Sequence, residues 1–337
     1  MKLAILTPNN AETGKTPEQI YAEGLRTLGN DVILGETFKI IPEDTDVIVS
    51  LSETTVKNAY DLAKKYNKPY YSHMEWLPEW RIFVSSEEEW GMEKRLIPYE
   101  VKMHYIRTYM YYTQYWLMAN VRSLSAKCFN DTAQKFIGLQ APILTKYLGP
   151  DTYKLKEFLS SNTIKKKNEI TCVARFVPHK RLHHVIQALK YIKFDGILNL
   201  VGYGEEKRFY DMINNEHIKI NYLPSSEKLK AMSRSKVVVA LWSGIVPAEA
   251  MYLGTPCITY DSPYMKELYK GTNIVFSPNN NVLELSKNIE KVLNKPYKEI
   301  KEECKQDVEM IESGKINTHT LKDSVIILNG IIKEAVK

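Results

Sequence analysis

Short apolar runs of strand length alternate with amphipathic helical stretches along this chain, and the alternation starts afresh after residue 150. "KLAILT" reads as a strand. "TPEQIYAEGLRTLG" follows as a helix, with Thr16 as N-cap, Pro17 at the first helical position and Gly29 as the stop. "DVIL" and "DVIVSLS" are the next strands, "TTVKNAYDLAKKY" is an amphipathic helix, and "KPYYSH" is a further strand. Strands spaced by helices of this length build βαβ units and a parallel sheet. Residues 101–122 form a long aromatic-rich helix that suits the core of the first domain. Its Lys102, Arg107 and Arg122 open a second reading, an interfacial helix facing anionic headgroups. "AKCFN", a helix from Asp131 and "PILTKYL" continue the alternation.

Around residues 149–169 a Gly-Pro pair, paired serines and a lysine run read as an interdomain linker. "ITCVARF" then opens a second series, through "GILNLVGYG", "KVVVALW" and "PCITYD", with helices between them. The expected organisation is a first domain over 1–150, a linker over 151–168 and a second domain over 169–312. A C-terminal helix within 313–337 is free to pack back on the first domain. The length of 337 residues suits two domains. The fold class is therefore α/β, with two doubly wound, Rossmann-like domains facing a central cleft.

Composition narrows the field without choosing a function. No apolar run reaches the ~18 residues a bilayer span needs. "MKLAILTPNN" is too short and too soon polar for a signal peptide, so a cytoplasmic location is expected. The four cysteines show neither metal nor redox spacing. A net charge of +6 is compatible with anionic ligands, a membrane surface or nucleic acid.

Three stretches carry candidate chemistry. In "VARFVPHKRL", Arg175 follows a strand, where open α/β sheets take ligands, and Lys180 stands at the next helix. Two cations and a turn of backbone N–H groups suit a diphosphate, and solvated loop charge suits the same pattern. In "LVGYGEE", Gly202 and Gly204 close a strand, but Lys207 stands where a dinucleotide fingerprint has its third glycine. In "SGIVPAEAMYLGTP", Gly244 permits close backbone approach and Pro247 starts a helix. Glu249 falls in its first turn, where a carboxylate can accept from a diol or simply complement the helix dipole.

Taken in order, these motifs resemble the retaining GT-B glycosyltransferases of sequence family 4, the glycosyl transferases group 1. "VARFVPHK", "VGYG", "LPSSEKLKAMSRSKVVVAL" and "AEAMYLGTP" match over residues 170–293. The resemblance implies that Arg175 and Lys180 hold a donor diphosphate and that Glu249 binds the donor ribose. It implies that Gly244, Ile245 and Val246 approach the donor through their backbone, and that Gly202 lines the nucleotide region. Two departures stand out. Leu241 replaces the first glutamate of the family's E-x7-E segment, and Ala174 replaces a glycine. In the first half, "YYSHMEWLPEW" places His73 just after a strand, as a catalytic candidate near the reacting centre. "PNNAETGK" stands in for a glycine-rich loop, with Asn9, Asn10 and Gly14 on the acceptor side.

What the resemblance implies is metal-independent transfer of a sugar, with retention, from a nucleotide sugar such as a UDP- or GDP-sugar to a hydroxyl. No further cofactor is expected. The acceptor is a glycan, a lipid-linked sugar or a protein, with peripheral membrane contact at the inner face as a companion reading. Nucleic acid is not an expected partner, since no nucleic-acid motif accompanies the charge. Two alternatives share the fold: a binding protein that has lost catalysis, suggested by Leu241, and a nucleotide-sugar epimerase.

Overall fold

The computed structural model describes residues 1–7, 16–35, 41–74, 107, 110–124, 149–176, 180–204, 207, 210, 219–316, 318 and 320–337. These form two compact units. One comprises the described residues up to 124 together with 321–337, the other those from 149 to 320.

The first unit is built on β1 (Lys2–Leu6), β2 (Asp31–Gly35), β3 (Val47–Ser50), β4 (Tyr70–Met74) and β5 (Val121–Leu124). They pair in parallel in the order β2-β1-β3-β4-β5. Leu3, Ala4, Ile5 and Leu6 are all fully buried, as expected of a central strand covered on both faces. The Pro17–Thr27 helix starts with the expected Thr16 cap. The Thr16 hydroxyl accepts from Gln19 N, and the Gln19 side chain accepts from Thr16 N in return, so two otherwise orphan donors are satisfied. The last helix, Leu321–Glu334, belongs to this unit. Its Val325, Leu328 and Ile332 join Leu3, Ile5, Tyr21 and Leu25 in one apolar cluster. Gly24 permits the approach, because a Cβ there would lie 2.5 Å from Val325 Cγ2.

The expected helix over 101–122 ends earlier than its composition suggests. Residues 110–117 are helical, and Val121 and Arg122 are in β5. Asn120 makes the switch: its side chain accepts from Tyr70 N at 2.9 Å, and its own N–H donates to Tyr70 O. Arg122 is half-buried, and its Nη1 donates to Leu117 O at 2.5 Å. Arg107 is exposed, and Lys102 lies outside the described residues, as does the stretch from 125 to 148.

The second unit is built on β6 (Glu169–Val173), β7 (Ile197–Val201), β8 (Lys219–Leu223), β9 (Val237–Val239), β10 (Cys257–Tyr260) and β11 (Val275–Ser277). All pairs are parallel, in the order β11-β10-β9-β6-β7-β8. The presumed linker over 151–168 is largely a helix of this unit, Thr152–Ser161. Asp151 caps it by accepting from Lys154 N, and Leu155 sinks into the unit's main apolar cluster. Gly149, Pro150 and Asp151 are thus a helix start, not a tether.

At the amino edge of this sheet Glu169 is buried, and its Oε2 accepts from Arg234 Nε at 2.6 Å and from Asn199 Nδ2 at 2.7 Å. A buried carboxylate so paired belongs to the scaffold.

Candidate functional site

In the second unit β6 pairs with β7 on one side and β9 on the other. The chain winds outward from β6 through β7 to β8, then returns to β9 and winds the opposite way. Loops that leave two adjacent strands in opposite directions open a crevice at their carboxyl ends, the usual ligand position in such sheets. The segments here are the one after β6, with Arg175 and Lys180, and residues 240–245 after β9.

The first loop is held on its other side by β7. Ala174 N donates to Val201 O at 3.1 Å and Phe176 N to Tyr203 O at 2.6 Å. Phe176 is buried and packs edge-on against Tyr210 and Tyr222. Gly202 and Gly204 allow the approach. Their φ angles are 147° and 148°, and a Cβ on Gly202 would lie 2.0 Å from Ala174 O. Between these anchors Arg175 is exposed, with no ion pair or hydrogen bond among the described residues. Lys180 stands just before the Leu182–Ala188 helix, not in it, and its Nζ donates to Trp242 O in the β9 loop. This bond spans the crevice.

The second loop is fixed from below. The Tyr269 hydroxyl donates to Gly244 O and accepts from Ala248 N at 3.3 Å. Tyr264 Oη lies 3.0 Å from where a Gly244 Cβ would be. Ile245 is half-buried, and Val246 turns its side chain into the core cluster. Glu249 lies in the first turn of the Val246–Tyr252 helix, 8% exposed. Its Oε1 accepts from Lys228 Nζ at 2.6 Å, while its Oε2 is buried without a hydrogen-bond partner among the described residues. Leu241, the departure from the E-x7-E pattern, is buried at the end of β9.

Arg181, next to Lys180, is fully buried in the left-handed region at φ 51°. Its Nη1 reaches Asn279 Oδ1 at 3.4 Å. His184 Nδ1 bonds Tyr260 Oη at 2.6 Å. Burial, helped by His183 and Arg181, pushes the His184 imidazole down to about 3, and burial with Arg181 lowers His183 as well.

Arg175, Lys180, Gly202, Gly244, Ile245, Val246 and Glu249 therefore fall on one edge of one sheet. His73 does not fit its expected place. It lies inside β4, not after it, and is fully buried. Its Nδ1 meets Ser123 Oγ at 2.9 Å, and the same oxygen meets Tyr71 Oη at 2.5 Å. Burial pushes the imidazole down to about 3, so it is neutral at ordinary pH and ties β4 to β5. Asn9, Asn10 and Gly14 lie outside the described residues.

The buried His73 gives a stability signature. Its folded-state pKa lies below the unfolded value near 6.5. Its stabilisation is complete above pH 6.5 and is lost as pH falls from there toward 3, because the unfolded chain takes the proton first. Each such histidine steepens the loss by about 1.4 kcal/mol per pH unit. His73→Asn is expected to flatten urea-unfolding stability against pH between 6 and 4 by about one proton. An unchanged slope would mean that this imidazole is hydrated in the folded chain.

Residues 154–315 match the family model described as glycosyl transferases group 1. No curated protein sequence matches the chain. Anabaena HepE, solved in complex with UDP and glucose, is 13% identical, with 99% of each chain covered and a TM-score of 0.67. Sucrose-phosphate synthase from Thermosynechococcus elongatus is 12% identical, covering 99% of this chain and 98% of its own, with a TM-score of 0.70. A glycosyltransferase from Rickettsia africae is 14% identical, with coverages of 100% and 98% and a TM-score of 0.61.

The fold is GT-B.

Within this GT-B chain, sequence reading missed Lys228, Trp242 and Tyr269. Lys228 had a weak signal, an early position in "SSEKLKAMSRS", and the other two had none that separates them from core aromatics. Among the described residues no helix is long and apolar enough to cross a membrane.

Proposed function

We propose that this chain is a retaining glycosyltransferase that moves a sugar from a nucleoside-diphosphate donor to a hydroxyl acceptor without a metal. One observation carries the reading. Two cations, Arg175 and Lys180, follow β6, and Glu249, whose Oε2 is buried with no hydrogen bond among the described residues, follows β9 on the same edge of the sheet. Cations suit a diphosphate and the bare oxygen suits a ribose hydroxyl. The UDP and glucose bound by HepE support the same donor class.

In the proposed reaction the bond from the anomeric carbon to the bridging phosphate oxygen breaks, and its electron pair stays on the diphosphate. Arg175 and Lys180 stabilise that growing charge where water is excluded, which is the dominant form of catalysis for such a step. The acceptor hydroxyl enters on the face the diphosphate leaves, and a departing phosphate oxygen takes its proton. The two cations do the neutralising work that a divalent metal does in other transferases. A glycan, a lipid-linked sugar or a protein is the proposed acceptor class, reached in the cytoplasm with peripheral contact at the membrane face.

Leu241 favours a second reading, binding without transfer, because an apolar side chain stands where the resemblance calls for a glutamate. A panel of UDP- and GDP-sugars with released nucleotide as readout separates the two. Turnover is expected with at least one donor, undiminished by EDTA, with an axial or equatorial product bond matching that donor. Donor binding with no release for any acceptor class supports the second reading. Loss of turnover in EDTA, or an inverted product, contradicts the mechanism.

A further inference from the structure

Lys228 and Glu249 come from different helices, Lys228–Arg234 and Val246–Tyr252. The first packs on β6 and β7. It is fixed there by fully buried Ala231 and Met232, and Thr171 Oγ1 bonds Ser235 Oγ at 2.6 Å just past its end. Lys228 is its first residue and reaches Oε1 of Glu249 at 2.6 Å. The lysine side chain is 30% exposed and that of the glutamate 11%.

A pair kept only for stability would close both carboxylate oxygens, because a buried acceptor left bare is destabilising. Glu169 in the same sheet takes two donors, Arg234 Nε and Asn199 Nδ2, both on its Oε2. Glu249 is closed on one oxygen only, and Oε2 is buried and bare. One fixed ammonium on Oε1 also limits rotation of the carboxylate, so the position of Oε2 is set before any ligand arrives.

We infer that Lys228 is a positioning residue: it pins Oε1 of Glu249 so that Oε2 is presented to the ribose hydroxyls of a nucleoside diphosphate. The inference rests on the nucleotide-sugar reading given above. Lys228 does not touch the reacting atoms, and its effect is read through the ribose.

The test is isothermal titration of UDP and GDP and of their 2′,3′-dideoxy counterparts into the full chain. Wild type is expected to prefer the ribonucleotide by about tenfold or more, the range of a hydrogen bond to a charged group. Glu249→Gln lowers that ratio. Lys228→Met and Lys228→Gln are expected to bring it close to 1 while leaving affinity for the dideoxy form nearly unchanged. Lys228→Arg restores most of it. The ratio is taken within each variant, so a general loss of stability cancels. A Lys228→Met or Lys228→Gln protein that keeps the wild-type ratio, even with a lower melting temperature, overturns the positioning role and leaves the nucleotide reading standing. A wild-type chain that binds neither nucleotide, or does not distinguish ribose from dideoxyribose, overturns the reading itself.

Discussion

Lys180→Ala is expected to lower kcat/KM for the donor at least a hundredfold, with most of the loss in kcat. Removing one preorganised donor from a developing anion costs about 3 kcal/mol of transition-state stabilisation. Lys180 is preorganised in a specific sense: its Nζ donates to Trp242 O, so the ammonium is already held across the crevice between the β6 and β9 loops. The substitution removes a side chain that precedes the Leu182–Ala188 helix and is half-buried, so folding is expected to survive it. The measurement is steady-state kinetics beside a melting curve. Lys180→Arg keeps the charge but changes its shape and is expected to retain part of the rate. Turnover at the wild-type rate in Lys180→Ala would remove Lys180 from the mechanism. A parallel collapse of melting temperature would show that the Trp242 bond serves the fold first.

Local signals were legible in the sequence and long-range ones were not. The Thr16–Pro17–Gln19 helix start was readable because a capping box is closed within four residues. The apolar runs of β1, β6 and β7 were readable because strands buried on both faces leave little choice of side chain. Residues 118–122 were misread because the aromatic-rich stretch that precedes them suits helix and strand alike. What decides there is pairing with β4 and the Asn120–Tyr70 bonds, fifty residues apart. Residues 152–161 were misread as a linker because the helix buries little beyond Leu155 and so carries a weak apolar stripe.

The same division holds at the site. Arg175, Lys180 and Glu249 could be placed at the carboxyl edge of one sheet from sequence because each follows a recognisable strand end in a recognisable order. His73 was misplaced by a single structural step, the extension of β4 to Met74, which puts it inside the strand and in the core. Lys228 and Tyr269 act on Glu249 and Gly244 across 21 and 25 residues. The local pattern offers no more than the early helix position of Lys228 and nothing at all for Tyr269.

Gly202→Ala is the change expected to damage the chain most through its backbone. Gly202 has φ 147°, a region that side-chain-bearing residues rarely adopt, and its Cβ would fall 2.0 Å from the carbonyl oxygen of Ala174. Strain of this kind costs about 1–3 kcal/mol, and forcing atoms apart in a packed region adds about 1–3 kcal/mol. The oxygen belongs to backbone, so no rotamer relieves the clash. The segment 174–176 must move, yet Phe176 N is bonded to Tyr203 O and its ring is held by Tyr210 and Tyr222. Whatever movement occurs is therefore passed to Arg175, which lies between these anchors. Nucleotide affinity should fall together with stability. Gly254→Ala is the internal control. It too has positive φ, at 63°, but no atom lies within 4 Å of its Cβ position, so only the backbone term of about 1 kcal/mol remains. Melting curves and UDP or GDP titrations on the two variants separate the causes. Gly202→Ala is expected to melt well below Gly254→Ala and to bind nucleotide more weakly. Equal melting temperatures would mean that φ alone, and not the approach of β7 to the Arg175 loop, requires glycine at 202.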